Sequence, residues 1–232
     1  MPINRKLVVE FIGTFFLVFT VGMAVAKADG LAPLAIGAVL MVMVFAGGHV
    51  SGAHYNPAVS IAVFMRGKME QPEFIAYVVV QIIAAIVAAI IVIILGYDFS
   101  KAQDVAGAGK MLIVEFLFTF ALAWVVLNTA TARGTEGNSF YGLAIGFTVA
   151  AGAFAVGSVS GGAFNPAVAV GAMVMGLLSW SDIWIYLIAN LLGGAAAASV
   201  FMYTQPGEKV RGDVRAAEPG RTAGGAPESR LD

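Results

Sequence analysis

Cysteine is absent from the 232-residue chain, which excludes disulfides, thiolate nucleophiles and cysteine-bound metals and leaves the redox compartment unreadable. Histidine occurs twice, as His49 and His54, too few to build a multi-histidine metal site. Charge is scarce as well: 12% of residues are charged, against about 25% in soluble domains. The 13 basic and 14 acidic residues nearly cancel, at a net charge of −1, so there is no basic field for nucleic acid. These shortages exclude a soluble globular enzyme. Nor is there a nucleophile beside a base, a metal cluster or a Walker-type glycine loop, so no enzyme activity, cofactor or metal is expected.

What is present is apolar: 59% of the chain is hydrophobic and the mean hydropathy is +0.88. Six runs near the length that an ~30 Å hydrocarbon core demands fall at about 7–26, 32–51, 74–96, 111–132, 140–159 and 183–203. An all-α multi-pass membrane protein is therefore expected, with the lipid bilayer as its partner and both termini on one side. The first run holds Glu10 and no clear small-residue cleavage site, so it is expected to stay in the mature chain. With the termini inside, Arg5, Lys6, Arg66, Lys68, Arg133, Lys209, Arg211, Arg215, Arg221 and Arg230 are cytoplasmic and Lys27, Lys101 and Lys110 external. That asymmetry satisfies the positive-inside rule and suggests a cell (plasma or inner) membrane with cytoplasmic termini. From Gln205 onward the composition shifts to Gly, Pro, Glu, Arg and Ala, which reads as a disordered cytoplasmic tail over 205–232.

An internal repeat fixes the architecture. GHVSGAHYNPAV at 48–59 and GSVSGGAFNPAV at 157–168 share eight of twelve residues without a gap, 109 positions apart. The same offset carries Gln81 onto Asn190, and an offset of 105 carries Glu10 onto Glu115. The membrane unit, 1–204, thus divides into repeats of about 5–100 and 109–204. Three spans per repeat force the second to enter the membrane from the opposite side, giving inverted symmetry. After Asn56-Pro57-Ala58 the apolar run lasts only to about Met65, and after Asn165-Pro166-Ala167 only to about Leu177. Asn caps helices and Pro starts them, so each motif reads as the start of a helix half a membrane long. Two such helices meet near the midplane, each bringing the positive end of its dipole.

Paired Asn-Pro-Ala motifs, GHVSGAHYNPAV in the first repeat and the opening VEFIGTFFLVF resemble the aquaporin, or major intrinsic protein, family over roughly residues 5–204. The resemblance implies six tilted transmembrane helices plus two re-entrant half-helices around a pore in every protomer, and a homotetramer. It implies that Glu10 and Glu115 hydrogen-bond the re-entrant loops and that His54 packs beside the pore toward the cytoplasm. Asn56 and Asn165, as caps, are expected to turn their amide donors into the lumen and break the water wire that protons need. Gln81 and Asn190 read as a symmetric pair of interhelical hydrogen bonds. The GxxxG pairs Gly48/Gly52, Gly142/Gly146 and Gly157/Gly161 read as close helix crossings, and Trp124, Trp180, Trp184 and Tyr186 as including interfacial anchors.

The chain departs from the family at the selectivity filter. Counting from the motifs, the four filter positions are Ile36, Ala153, Gly162 and Val168, where water-selective members carry an aromatic, a histidine, a small residue and an arginine. A wider constriction without its fixed cation is expected. Phe154 and Phe164 stand nearby as residues able to narrow it. The expected function is a passive channel for water and small uncharged solutes such as glycerol, urea and neutral metalloid hydroxides including arsenous acid, with ions and protons excluded. A strict water channel with an atypical filter is one alternative, and an ion-coupled secondary transporter another.

Overall fold

A computed structural model describes residues 1–27, 30–97 and 105–208. Lys101 and the part of the tail beyond residue 208 lie outside the described residues. Among the described residues eight α-helices follow in order: α1 (Ile3–Lys27), α2 (Ala32–Ser51), α3 (Pro57–Met65), α4 (Gln71–Ile94), α5 (Ala108–Val126), α6 (Tyr141–Ser160), α7 (Pro166–Met175) and α8 (Ile183–Thr204). Six of them, all but α3 and α7, are long and apolar enough to cross a membrane. Helix α5 runs on through a π-helical turn, Leu127–Thr131. Pro in the first turn starts α2, α3, α4 and α7, where its missing N–H costs nothing.

Small residues line the helix contacts of α4 and α8, and many large aliphatic residues face outward. Ala84, Ala85, Ala88 and Ala89 of α4 and Ala197 and Ala198 of α8 are buried, whereas Ile94, Ile113, Leu117 and Phe154 are exposed on the outer surface. In lipid no hydrophobic force pushes helices together, so close backbone approach supplies the packing. A close crossing joins α2 to α6 through Gly37 and Gly146, which the 109-residue offset relates. A methyl group on Gly37 would stand 2.6 Å from the Gly146 carbonyl oxygen, and one on Gly146 closer still to that of Gly37. Each half-helix lodges against a span of the other repeat, α3 on α8 and α7 on α4. Gly194 gives way to the Ala58 carbonyl, and Gly171 sits beside the Ala85 carbonyl.

Two expectations about elements change. Helix α7 stops at Met175, because Gly176 adopts φ +84° and donates its N–H to Ala172 and Met173 oxygens; Leu177 and Leu178 therefore leave the helix and turn inward. Trp180 and Trp184 are about half exposed, but Tyr186 is fully buried and donates its hydroxyl to the Ser160 carbonyl, so it is no interfacial anchor.

The start of α1 and the ends of α3, α5 and α8 share one face. Lys6 pairs with Glu73 at 2.6 Å. Arg66, only 1% exposed, donates to the Thr131 hydroxyl (2.8 Å) and carbonyl (3.1 Å), pairs with the Glu208 carboxylate and lies 4.9 Å over the Phe201 ring. Residues 205–208, the root of the tail, are thus tied to Arg66 of the first repeat and to Asn128 and Arg133 of the second.

Candidate functional site

Asn56 precedes α3 in an extended conformation, its Oδ1 accepting from the Ala58 N–H at 2.8 Å. Asn165 precedes α7 in the same way and accepts from Ala167 (2.9 Å) and Val168 (3.4 Å). With each oxygen turned back onto its own helix, each NH2 faces the other loop. Asn56 Nδ2 donates to the Phe164 carbonyl and Asn165 Nδ2 to the Tyr55 carbonyl, both at 2.9 Å. The pair forms a reciprocal clasp, and each amide has one hydrogen left over.

The clasp requires unusual backbone. Tyr55 and Phe164 sit at φ +50° and +48°, a left-handed conformation that costs an aromatic residue roughly 1–2 kcal/mol. Two buried glutamates hold it. Glu10 accepts from the N–H groups of His54 (2.9 Å) and Tyr55 (2.7 Å), the Ser51 hydroxyl (2.7 Å) and Gln81 Nε2 (2.9 Å). Glu115 accepts from the N–H groups of Ala163 (2.9 Å) and Phe164 (2.8 Å) and the Ser160 hydroxyl (2.7 Å). Asn190, with its amide nitrogen assigned toward the carboxylate, adds a fourth donor at 3.1 Å, and its oxygen accepts from Asn165 N. Tyr77 and Tyr186 donate to the carbonyls of Ser51 and Ser160. Both glutamates are 0% exposed; their hydrogen-bonding capacity is taken up by the loops.

A cavity of about 70 Å³ runs past the clasp, lined on one side of it by Ile36, Ala153, Gly162 and Val168 and on the other by His54, Val59 and Val126. Toward the terminal face a wider space of about 230 Å³ shares His54 and Val126 with it, and another of about 420 Å³ shares Gly52, Lys68 and Thr131 with that one. Among the described residues that line the narrow part there is no Asp, Glu, Lys or Arg. All four sequence-assigned filter positions meet there. Phe154, one residue past Ala153, is 58% exposed on the outer surface, as a helical step of about 100° dictates. The Phe164 ring packs 5.3 Å from Phe118, and neither ring lines the cavity. Leu177 and Leu178 do line it. Sequence reasoning missed both, because it carried α7 through Leu177; the signal available was Gly176, a residue suited to ending a helix.

The major intrinsic protein family model matches residues 1–203. The chain is 37% identical over 211 residues to a glycerol uptake facilitator protein-like 6 of Lactiplantibacillus plantarum, covering 84% of this chain and 95% of that one. It is 34% identical over 215 residues to Nodulin-26 of Glycine max, covering 87% and 78% respectively. In fold it is similar to the X-ray structure of the aquaglyceroporin from Plasmodium falciparum, with TM-score 0.75 at 20% identity over 86% of this chain and 96% of that one.

Proposed function

Since this chain belongs to the major intrinsic protein family, and is a membrane channel for water and small solutes rather than an enzyme, we propose that it is a facilitator of wide specificity for uncharged solutes. The observation that carries this reading is the filter wall: Ile36, Ala153, Gly162 and Val168 line the narrow cavity together, with no charge and no guanidinium fork. A bulky neutral solute meets no fixed cation there. An ion finds nothing to replace its hydration shell, and apolar walls do not offset that loss. Glycerol, urea and neutral metalloid hydroxides such as arsenous acid fit this chemistry.

Exclusion of protons and cations is assigned to the midplane. The free hydrogen on each of Asn56 and Asn165 is offered to a passing oxygen. A water that accepts from both turns its own hydrogens away along the pore, and the wire breaks. The N-termini of α3 and α7 add roughly half a positive charge each; such exclusion by half-helix dipoles is a recognised device of aquaporin-type pores. Coupled transport is disfavoured because Glu10 and Glu115, the fully buried acids of the spans, are committed to loop amides. The basic residues Arg5, Lys6, Arg66, Lys68 and Arg133 support a cytoplasmic terminal face in the cell membrane, and the family pattern supports four protomers.

The central space of only about 70 Å³, with Leu177 and Leu178 on its wall, favours one second reading, a strict water channel. Stopped-flow light scattering on proteoliposomes decides between them, comparing water efflux with entry of glycerol, urea and arsenous acid. Solute entry in the wild type that Val168→Arg slows more than it slows water is the expected result. Water flux alone would establish the second reading, and uphill accumulation of any solute would overturn both.

A further inference from the structure

The two re-entrant loops are built alike, so each serves as a control for the other. At the 109-residue offset Ser51, Tyr55, Asn56, Tyr77 and Gln81 correspond to Ser160, Phe164, Asn165, Tyr186 and Asn190, like for like. Polar side chains of the first loop that the second lacks include the Tyr55 hydroxyl, which donates to the Met43 carbonyl, and the neighbouring pair His54 and Ser60, which correspond to Ala163 and Ala169. The His54 and Ser60 side chains touch, with Ser60 Oγ 3.1 Å from His54 Nδ1. The second loop reaches the same backbone, clasp and carboxylate support with alanine at both places. The contact is therefore no requirement of the loop fold.

Hydrogen counting fixes the proton on His54. Gln81 Nε2 has two hydrogens and two partners, Glu10 Oε2 at 2.9 Å and Ser60 Oγ at 3.2 Å. The amide cannot be reversed, because its oxygen would then face the carboxylate. Ser60, 0% exposed, thus already accepts one hydrogen. Were His54 to donate from Nδ1 as well, the Ser60 hydrogen would have no acceptor among the described residues. The consistent arrangement has Ser60 donating to Nδ1 and the imidazole proton on Nε2.

Nε2 has no hydrogen-bond partner among the described residues. It stands 3.3 Å from where a side chain on Gly52 would begin, and His54 lines both the narrow cavity and the mouth beyond it. We propose that Ser60, aligned by Gln81, is a positioning residue that holds His54 in its Nε2–H form, so that the pore meets a hydrogen-bond donor whose basic nitrogen is sealed inside the protein. A permeating oxygen gains a partner there, and a proton in the lumen finds no base. The charged and titratable groups around His54 are Lys6 and Glu10 on α1, Glu73 and Tyr77 on α4, and Lys68 beyond α3; the facing residues Val126, Ala130 and Thr131 add none. Lys6 and Glu73 neutralise each other at 2.6 Å. The lumen-side consequence rests on the channel reading above, whereas the tautomer does not.

The test uses the full chain labelled with 15N-histidine in proteoliposomes. Its two imidazoles are assigned with His49→Gln, His49 being exposed at the end of α2. Solid-state NMR of the wild type should show His54 protonated at Nε2 alone, and water flux should be flat between about pH 5 and 8. Ser60→Ala should shift His54 toward the Nδ1–H form and make flux fall by about half or more over that range; Ser60→Thr, which restores the hydroxyl, should return both readouts to the wild-type pattern. A wild-type His54 protonated at Nδ1 overturns the proposal without any variant. So does Ser60→Ala with an unchanged tautomer and an unchanged pH profile. A wild type that passes no water would defeat the channel reading and leave the tautomer assignment standing.

Discussion

Glu10 and Glu115 place two carboxyl groups where a bilayer tolerates charge least, and each spends its oxygens on a loop that cannot hold its own shape. Glu10→Ala strands the amides of His54 and Tyr55, at about 1–3 kcal/mol for each buried donor without a partner. The thermal midpoint in detergent should drop well below wild type, with Glu10→Gln in between; three equal midpoints would show that the carboxylate does not support the loop. The offset of 105 residues makes this pair legible in the sequence alone, as the motif itself does for Asn56, Asn165 and Val168. The positive φ of Tyr55 and Phe164 was not legible, because aromatic residues rarely adopt it and nothing local demands it. The cross-loop clasp demands it, and that is a contact between residues 108 or more positions apart. Ser60 stayed hidden for a related reason: a serine one turn into a short helix looks ordinary until His54 and Gln81 are seen on either side of it.

At the scale of elements, glycine spacing proved a mixed guide. Of the three GxxxG pairs, Gly142 and Gly146 lie against α2, where a methyl on Gly142 would meet Phe45 at 2.9 Å. Gly157 has nothing within 4 Å of where its side chain would be. The partner of Gly146 is Gly37, on another helix, and no pattern along one helix announces a partner on the next. Gly146→Ala should therefore lower the thermal midpoint markedly and Gly157→Ala hardly at all, measured side by side in the same detergent. Equal losses would show that the close crossing at Gly146 does not set the difference, since helix propensity, about 1 kcal/mol in favour of Ala, cannot itself produce a loss. The six spans were readable to within a few residues because a membrane imposes length and composition together. The end of α7 was misplaced because apolar character continued through Leu177 after the helix had stopped at Met175.

At the scale of the molecule, the inverted order of the halves followed from an odd number of spans per repeat, but the root of the tail did not follow from composition. Partial burial pushes the Glu208 carboxyl up, yet the Arg133 amide and the Arg66 and Arg133 side chains outweigh it and hold it below the usual carboxylate range. A lowered value in the folded state means that the contact stabilises fully above that range and is lost as the pH falls through it. Glu208→Gln should accordingly be less thermostable than wild type at pH 7, and the gap should close on acidification; a gap constant down to about pH 3 would show that the charge is not what binds the tail. The clasp between Asn56, Tyr55, Phe164 and Asn165 has a further consequence for biogenesis. Each repeat supplies the acceptor that the other's amide needs, so neither can finish its own re-entrant loop as it leaves the ribosome. The first half must wait in the bilayer with a polar loop incomplete until the second arrives, and the barrier to protons proposed at the clasp forms in the same event that completes the fold.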